Sequence, residues 1–457
     1  MRLVDCLPEA PSVSDQPRRG QIWPVLVAAL LGVFAFSLPN LLDPIIRHDD
    51  YPAFFGDAEA FWEKTLHEGR WLNYIWHLRG IVTPAWLNFS VYQALWALFA
   101  AATSMAALGG RGPGWFPIVL ALLILVAPPA SLIALWFNTL IPGLAVVSLY
   151  AVLACYLSPR ALRLLLPVFV VVSFMAYSTY PLLLLAVVLV RSDDRSLKDL
   201  AAVLVLFIFS FGLAVLTAYS LNWQVHGVFG VPLASWRASN PAADLAGVVA
   251  NLPLVVQSLS DFLIRTAFEF KPAVWFHLGM LIGSTIVLWR NARMEALYLH
   301  AGLWSGLVLM AIQISKLGVI APPRAFIFVW LFYALLIVRT AEILTQKRGL
   351  SGRMARNFVL LILGSYLLQT FIQYSVYRPW QEETRRLAKQ VAVAQEPVYL
   401  RGQALQLPSA KAAFIQTETA LVSRIRQQTG RTTILCHTDP IECAQAKARG
   451  GTVVELK

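Results

Sequence analysis

Between residues 22 and 377 the chain is a succession of apolar runs, each near the length of a bilayer crossing and joined to the next by polar residues. The runs lie near 22–42, 82–107, 115–134, 138–157, 163–178, 180–191, 199–222, 272–289, 296–314, 325–340 and 357–377. About 20 apolar residues are needed for a helix to cross the ~30 Å hydrocarbon core. Backbone groups at that depth must be satisfied inside the segment, which leaves helices as the spanning structure for runs of this length. Composition agrees, with 58% hydrophobic and only 14% charged residues, where soluble domains carry about a quarter charged. The expected fold class is an all-α polytopic membrane protein of about eleven transmembrane helices. The run pair around Tyr180-Pro181 reads as either two short half-buried helices or one kinked helix.

Orientation follows from Lys and Arg in the joints. Sixteen fall on the side of the N-terminus and nine in longer loops on the other side. The bias predicts a cytoplasmic N-terminal segment, 1–21, and a retained first helix, because no small-residue cleavage site follows the first run. An odd number of spans then places the tail, 378–457, outside. The localisation expected is a bacterial inner membrane, multi-pass, with a periplasmic C-terminal domain. EPVYL, TTILC and TVVEL read as strands in this tail, with helices over 409–430 and 440–451, which makes it a small extracytoplasmic α/β domain. Cys436 and Cys443 close a short loop within it and are expected to be disulfide-bonded. Cys6 and Cys155 are expected to be inert. The net charge of +12 is scattered between apolar runs with no basic stripe, so nucleic acid is not an expected partner.

The densest cluster of charge lies just past the first run, in RHDDYPAFFGDAEAFWEKTLHEGRW, residues 47–71. It belongs to an outer loop, 43–81, in which 58–68 has helical period, with Phe61, Trp62 and Leu66 on one side. Such a helix would lie along the membrane surface. Asp49 and Asp50 are either juxtamembrane solvation or the carboxylates of a catalytic loop. Arg47 and His48 beside them can tune a carboxyl's proton affinity. The Asp193-Asp194 pair falls in a short joint on the cytoplasmic side and reads as solvation. His277 and His300 read as packed histidines.

A first helix, a long outer loop opening on an acidic pair, a surface helix, short-looped spans and a small outer C-terminal domain resemble the GT-C glycosyltransferase superfamily. Within it, HDDY followed by EGRW is similar to the loop of the Gtr-type bacterial glucosyltransferases. One departure is AlaPhePheGly at 53–56, where a basic residue is expected soon after the acidic pair. The resemblance implies transfer of a sugar, a hexose such as glucose, from a polyprenyl-phosphate donor to an envelope glycan or lipid on the outer face. Asp50, or Asp49, would be the general base, Asp50 being preferred because Tyr51-Pro52 fixes the chain after it. The other carboxylate would bind a sugar hydroxyl or a metal. No cofactor is required, and a divalent cation, Mg or Mn, is left open. The leaving phosphate needs cations: Arg324 first, then Arg70 and Arg79, then Lys316. His48, Arg237, Arg265, Lys271 and Glu269, the last four in a second outer loop, 223–271, would line the acceptor groove. Membrane lipid is a further partner. The rival readings are a transporter or flippase, which should carry charge at midplane, and a non-catalytic assembly subunit.

Overall fold

A computed structural model describes residues 22–109, 114–193, 195–234, 237, 239–436, 441, 444, 445, 448 and 450–456. The segment 1–21 with Cys6, Arg111, Asp194, Cys443 and most of the helix expected over 440–451 lie outside the described residues.

The first helix, α1 (Ile22–Leu41), leads into a folded loop: a one-turn helix at His48–Asp50, α2 (Tyr51–Phe55), α3 (Ala58–Glu68) and α4 (Trp71–His77). The bundle then continues through α5 (Ala85–Leu108), α6 (Trp115–Leu125), α7 (Pro128–Ile133), α8 (Phe137–Tyr156), α9 (Pro159–Phe174), α10 (Tyr180–Val190) and α11 (Leu197–His226). Its remaining helices are α12 (Leu245–Ala250), α13 (Leu252–Thr266), α14 (Lys271–Asn291), α15 (Arg293–Leu317), α16 (Ile327–Gln346) and α17 (Leu350–Ser375). Among the described residues nine helical stretches are long and apolar enough to cross a bilayer. The chain is a multi-pass membrane protein on that basis.

Every expected run is helical, but three are not membrane-length. Pro128-Pro129 breaks 115–134 into α6 and α7, because proline cannot donate within a helix and its ring clashes with the preceding turn. At Tyr180-Pro181 the chain forms two helices. Proline occupies the first turn of α10, where its missing N–H costs nothing. The ninth membrane-length stretch, Leu245–Thr266, comes from the expected loop 223–271. It runs along one end of the bundle: Asn251 Nδ2 donates to Asn240 O and Ser315 O, and Ser258 Oγ accepts from Ala321 N–H.

The short helices determine where the loop sits. Eleven residues of α10, all buried, rise only about 16 Å, roughly half a hydrocarbon core. The last carbonyls of α9 would be stranded at that depth. Instead Leu72 N–H donates to Met175 O at 3.2 Å and Asn73 Nδ2 to Ala176 O at 3.0 Å. The loop therefore fills the space above α9 and α10, satisfying groups that water cannot reach. Gly143 makes this possible from the other side. A Cβ there would lie 2.4 Å from that of Ala176 and 2.9 Å from the Tyr180 ring.

Asn222 on α11 tethers the loop laterally. Its Oδ1 accepts the Trp71 indole N–H at 2.9 Å, and its Nδ2 donates to Leu66 O and Gly230 O. At the far end of the bundle Arg163 forms a two-pronged pair with Asp199, and Arg339 and Arg195 both reach Glu295.

Beyond α17, α18 (Arg378–Val393) opens the C-terminal unit, with α19 (Pro408–Ala412), α20 (Thr419–Thr429), β1 (Val398–Arg401), β2 (Thr433–Leu435) and β3 (Thr452–Glu455). The three strands form a parallel sheet in the order β2-β1-β3, at the positions the sequence predicts. The unit docks on the loop end. Gln381 Nε2 donates to Asn40 Oδ1 and Asp43 O, and the buried Arg424 pairs with Asp43 at 2.5 Å.

Gly143→Val should therefore destabilise the protein by about 1–3 kcal/mol through overpacking. Gly364→Ala, where nothing lies within 4 Å of the added carbon, should be neutral or slightly stabilising. Thermal unfolding in detergent reads both.

Candidate active site

The site is built around a helix that starts deep. Between α7 and α8 residues Ala134–Trp136 form a single tight turn, so α8 begins with unpaired N–H groups at buried positions. A helix start needs acceptors for these donors and favours negative charge. Asp50 supplies both from a distant part of the chain. Its Oδ1 accepts from Thr139 N–H at 2.7 Å, and its Oδ2 from Asn138 N–H at 3.1 Å and Asn138 Nδ2 at 2.9 Å. Asn138 is fixed in turn by Asn88 Nδ2, 2.8 Å from its Oδ1.

Asp50 is fully enclosed, at 0% exposure. Burial pushes its carboxyl up to about 7, against the pull of the donors from Thr139 and Asn138. The carboxylate preferred from sequence thus has its three bonds spent inside the fold and no path to an acceptor. Tyr51-Pro52 does fix the chain after it, as expected, but fixes it as a cap.

Pinning Asp50 turns Asp49 the other way. Asp49 is half-buried, and its Oδ1 accepts the Trp136 indole N–H at 2.5 Å. Burial pushes its carboxyl up, but Lys64, His48, the Trp136 bond and Arg70 together outweigh that and leave it below the ordinary 3.8. His48 is half-buried, and burial lowers its imidazole despite Asp49 beside it.

The ring face of Trp136 carries Arg324, whose Cζ stands 4.0 Å from the ring centroid. Among the described residues Arg324 makes no hydrogen bond or ion pair. Its planar cation is held by the indole face alone. Arg47 approaches the same ring at 5.9 Å and donates to Phe414 O at 2.6 Å. One indole therefore joins the accessible carboxylate to an unpaired guanidinium.

The EGR sequence closes the loop. Gly69 adopts φ 67°, and Arg70 N–H returns to Lys64 O at 3.3 Å, a left-handed cap that ends α3 and projects Arg70 inward. Arg70 Nε lies 2.6 Å from Glu68 Oε2, and Arg237 Nη2 lies 3.3 Å from Glu68 Oε1. Burial raises the Glu68 carboxyl, but Arg70, Lys64 and Arg237 lower it further. Lys64 Nζ donates to Asp49 O at 2.6 Å.

Asp49, His48, Arg70, Arg237 and Arg324 are thus brought to one place. Two expected residues, Arg79 and Lys316, are elsewhere, and a third, Glu269, lies at the margin. Arg79 is exposed and stacked on Trp76 at 4.1 Å, because α4 ends before it. Lys316 is latched to Ala242 O at 2.6 Å. Glu269 pairs with Arg265 on a rim of the site. Cys436 is disulfide-bonded, Cys155 is a free buried thiol, and the pairing with Cys443 lies outside the described residues. Trp136, Lys64, Glu68 and Asn138 were missed by sequence reasoning. The Trp-Phe-Asn-Thr stretch, 136–139, at the joint of two apolar runs was the only trace of the second half of the site.

The side chains around Asp49 do not by themselves form a divalent-cation site. Among the described residues no three His, Cys, Asp or Glu come together. Asp49 is ringed by Lys64, His48 and Arg70, which would repel a dication.

Asp50→Asn should destabilise the protein by about 1–3 kcal/mol, since an amide donor would then face donors from Asn138 and Thr139. Asp49→Asn should cost clearly less, since its amide oxygen can still accept the Trp136 N–H. Unfolding in detergent separates them, and equal stability of the two would remove the capping role. No protein-family model matches this chain, and a search of curated proteins finds no match.

Proposed function

We propose that the protein is a membrane glycosyltransferase that moves a hexose from a polyprenyl-phosphate donor to an envelope glycan or lipid. The observation that carries the reading is the Asp49–Trp136–Arg324 arrangement: a reachable carboxylate and an unpaired cation fixed on one indole at the mouth of a membrane bundle. Glycosyl transfer from a lipid phosphate requires those two groups.

In the proposed reaction the acceptor oxygen attacks the anomeric carbon, and the bond from that carbon to the phosphate oxygen breaks. The electron pair leaves with polyprenyl phosphate, whose added negative charge falls to Arg324, with Lys64 and Arg70 close by. The acceptor proton passes to Asp49. A carboxylate held below its usual range is a weak base, which suits a reaction in which positive charge builds on the sugar before the proton leaves. Asp50 acts through the fold, capping α8 and aiming Asp49. In this reading the loop end faces the periplasm and the Arg-rich far end the cytoplasm, in accord with the distribution of basic residues. The C-terminal unit is then extracytoplasmic.

Asp49→Asn should cut transfer by ~10² or more, since an amide cannot take the proton. The pH profile distinguishes the two carboxylates. A base must be ionised to act, so activity falls as pH drops through its folded-state pKa. With Asp49 as base, kcat/KM stays flat from about pH 8 to about pH 5 and declines only further down. A loss of rate centred near 7 would assign the role to Asp50. Arg324→Ala should cost ~2–5 kcal/mol of transition-state stabilisation, with only partial recovery in Arg324→Lys. Parental transfer in Asp49→Asn would sink the proposal.

A further inference from the structure

The C-terminal unit reaches into the loop end through one strained residue. Phe414, just after α19, has φ 53°, a left-handed conformation that non-glycine residues rarely adopt. Its carbonyl receives Arg47 Nη1 at 2.6 Å, and the residue is 60% exposed. Arg265 lies over that ring, with Cζ 6.0 Å from the centroid. Arg265 comes from the far end of α13 and pairs with Glu269 at 2.5 Å. Phe268 and Glu269 have φ of 49° and 64°.

Among the described residues four non-glycine positions have positive φ, and three of them, Phe268, Glu269 and Phe414, gather here. The rim they form comes from two segments distant in sequence and stands one arginine from the site. Arg47 bridges the distance, with its guanidinium also 5.9 Å from the Trp136 ring. A lone exposed aromatic needs no explanation. Phe414 ends α19 in the left-handed position, its N–H returning to Lys411 O and that of Ile415 to Ala410 O, and this cap fixes an exposed aromatic beside the site.

We propose that Phe414, Arg265 and Glu269 form a saccharide-binding rim for the acceptor. The C–H face of a hexose stacks on the open face of Phe414, while the guanidinium and carboxylate of the Arg265–Glu269 pair take its hydroxyls. The acceptor hydroxyl is thereby offered toward Asp49, and the site is complete only with the C-terminal unit in place. This inference rests on the glycosyltransferase reading and names the ligand class of its acceptor side, a hexose-containing glycan.

The test uses the full chain in lipid vesicles, a polyprenyl-phosphate hexose as donor, and envelope glycan from cells lacking the gene as acceptor probe. Phe414→Ala and Phe414→Gly should each raise the half-saturating acceptor concentration about tenfold, with the donor requirement and kcat unchanged. Phe414→Trp should restore it. The glycine variant relieves the left-handed strain, so its thermal stability should not fall, which separates loss of the ring from misfolding. Parental acceptor dependence in the alanine and glycine variants, or an equal rise in the donor requirement, would overturn the rim while leaving transfer intact. Absence of transfer by the parental protein would overturn the glycosyltransferase reading and the rim together.

Discussion

The N-terminus of α8 sets the constraint from which the loop end follows. A helix that begins inside a membrane bundle presents N–H groups with no water to receive them, and each left unpaired would cost several kcal/mol. Asp50 meets that need with three accepted bonds. Once it is anchored, the turn at 48–50 has no freedom, and the adjacent carboxylate must face the other side. There it meets Trp136, the residue that precedes α8 and marks the break in the helix. The structural aspartate and the accessible one are therefore not interchangeable, and their roles arise from one backbone requirement.

Depth gives the arrangement its electrostatic weight. Because α9 and α10 stop short, α4 sits within the bundle's end and carries the charged loop with it. Charges separated from water interact more strongly than at a surface, so the grouping of Lys64, Arg70 and Glu68 around Asp49 matters more here than in a solvated linker. Arg324 is the exception in this group because, among the described residues, only an aromatic face holds it. A guanidinium in that position is ready for a phosphate without first giving up a carboxylate.

Much of the bundle was legible in the sequence, since a crossing helix leaves a run of the right length and little else forms one. The runs that misled did so for local reasons. Pro128-Pro129 divides a stretch that hydropathy reads as whole, and Leu245–Thr266 was hidden by the polar residues Asn251, Gln257 and Asp261 within it, of which Asn251 donates to the carbonyls of Asn240 and Ser315. The strands of the C-terminal unit were readable because TTILC and TVVEL are short runs rich in β-branched residues. The acidic pair, EGRW and Arg324 could be picked out as charge in a greasy chain. Which aspartate faces the site could not, because it depends on Asn138 and Thr139, far along the chain and unremarkable as residues. Trp136 was equally silent: one of 15 tryptophans, distinguished only by what it touches. Lys316 and Arg79 show the converse, cations at suitable sequence positions that the fold spends on Ala242 and Trp76.

Trp136→Phe tests the central claim most directly, because it keeps an aromatic face for Arg324 and removes only the N–H that aims Asp49. The measurement is hexose transfer from polyprenyl-phosphate donor by the full-length protein in vesicles. Loss of one orienting bond to a charged group, about 1.5–3 kcal/mol, predicts a fall in kcat of roughly 10- to 100-fold with the fold and the donor requirement preserved. Parental kcat in Trp136→Phe would contradict the account, since Asp49 would then need no indole to act.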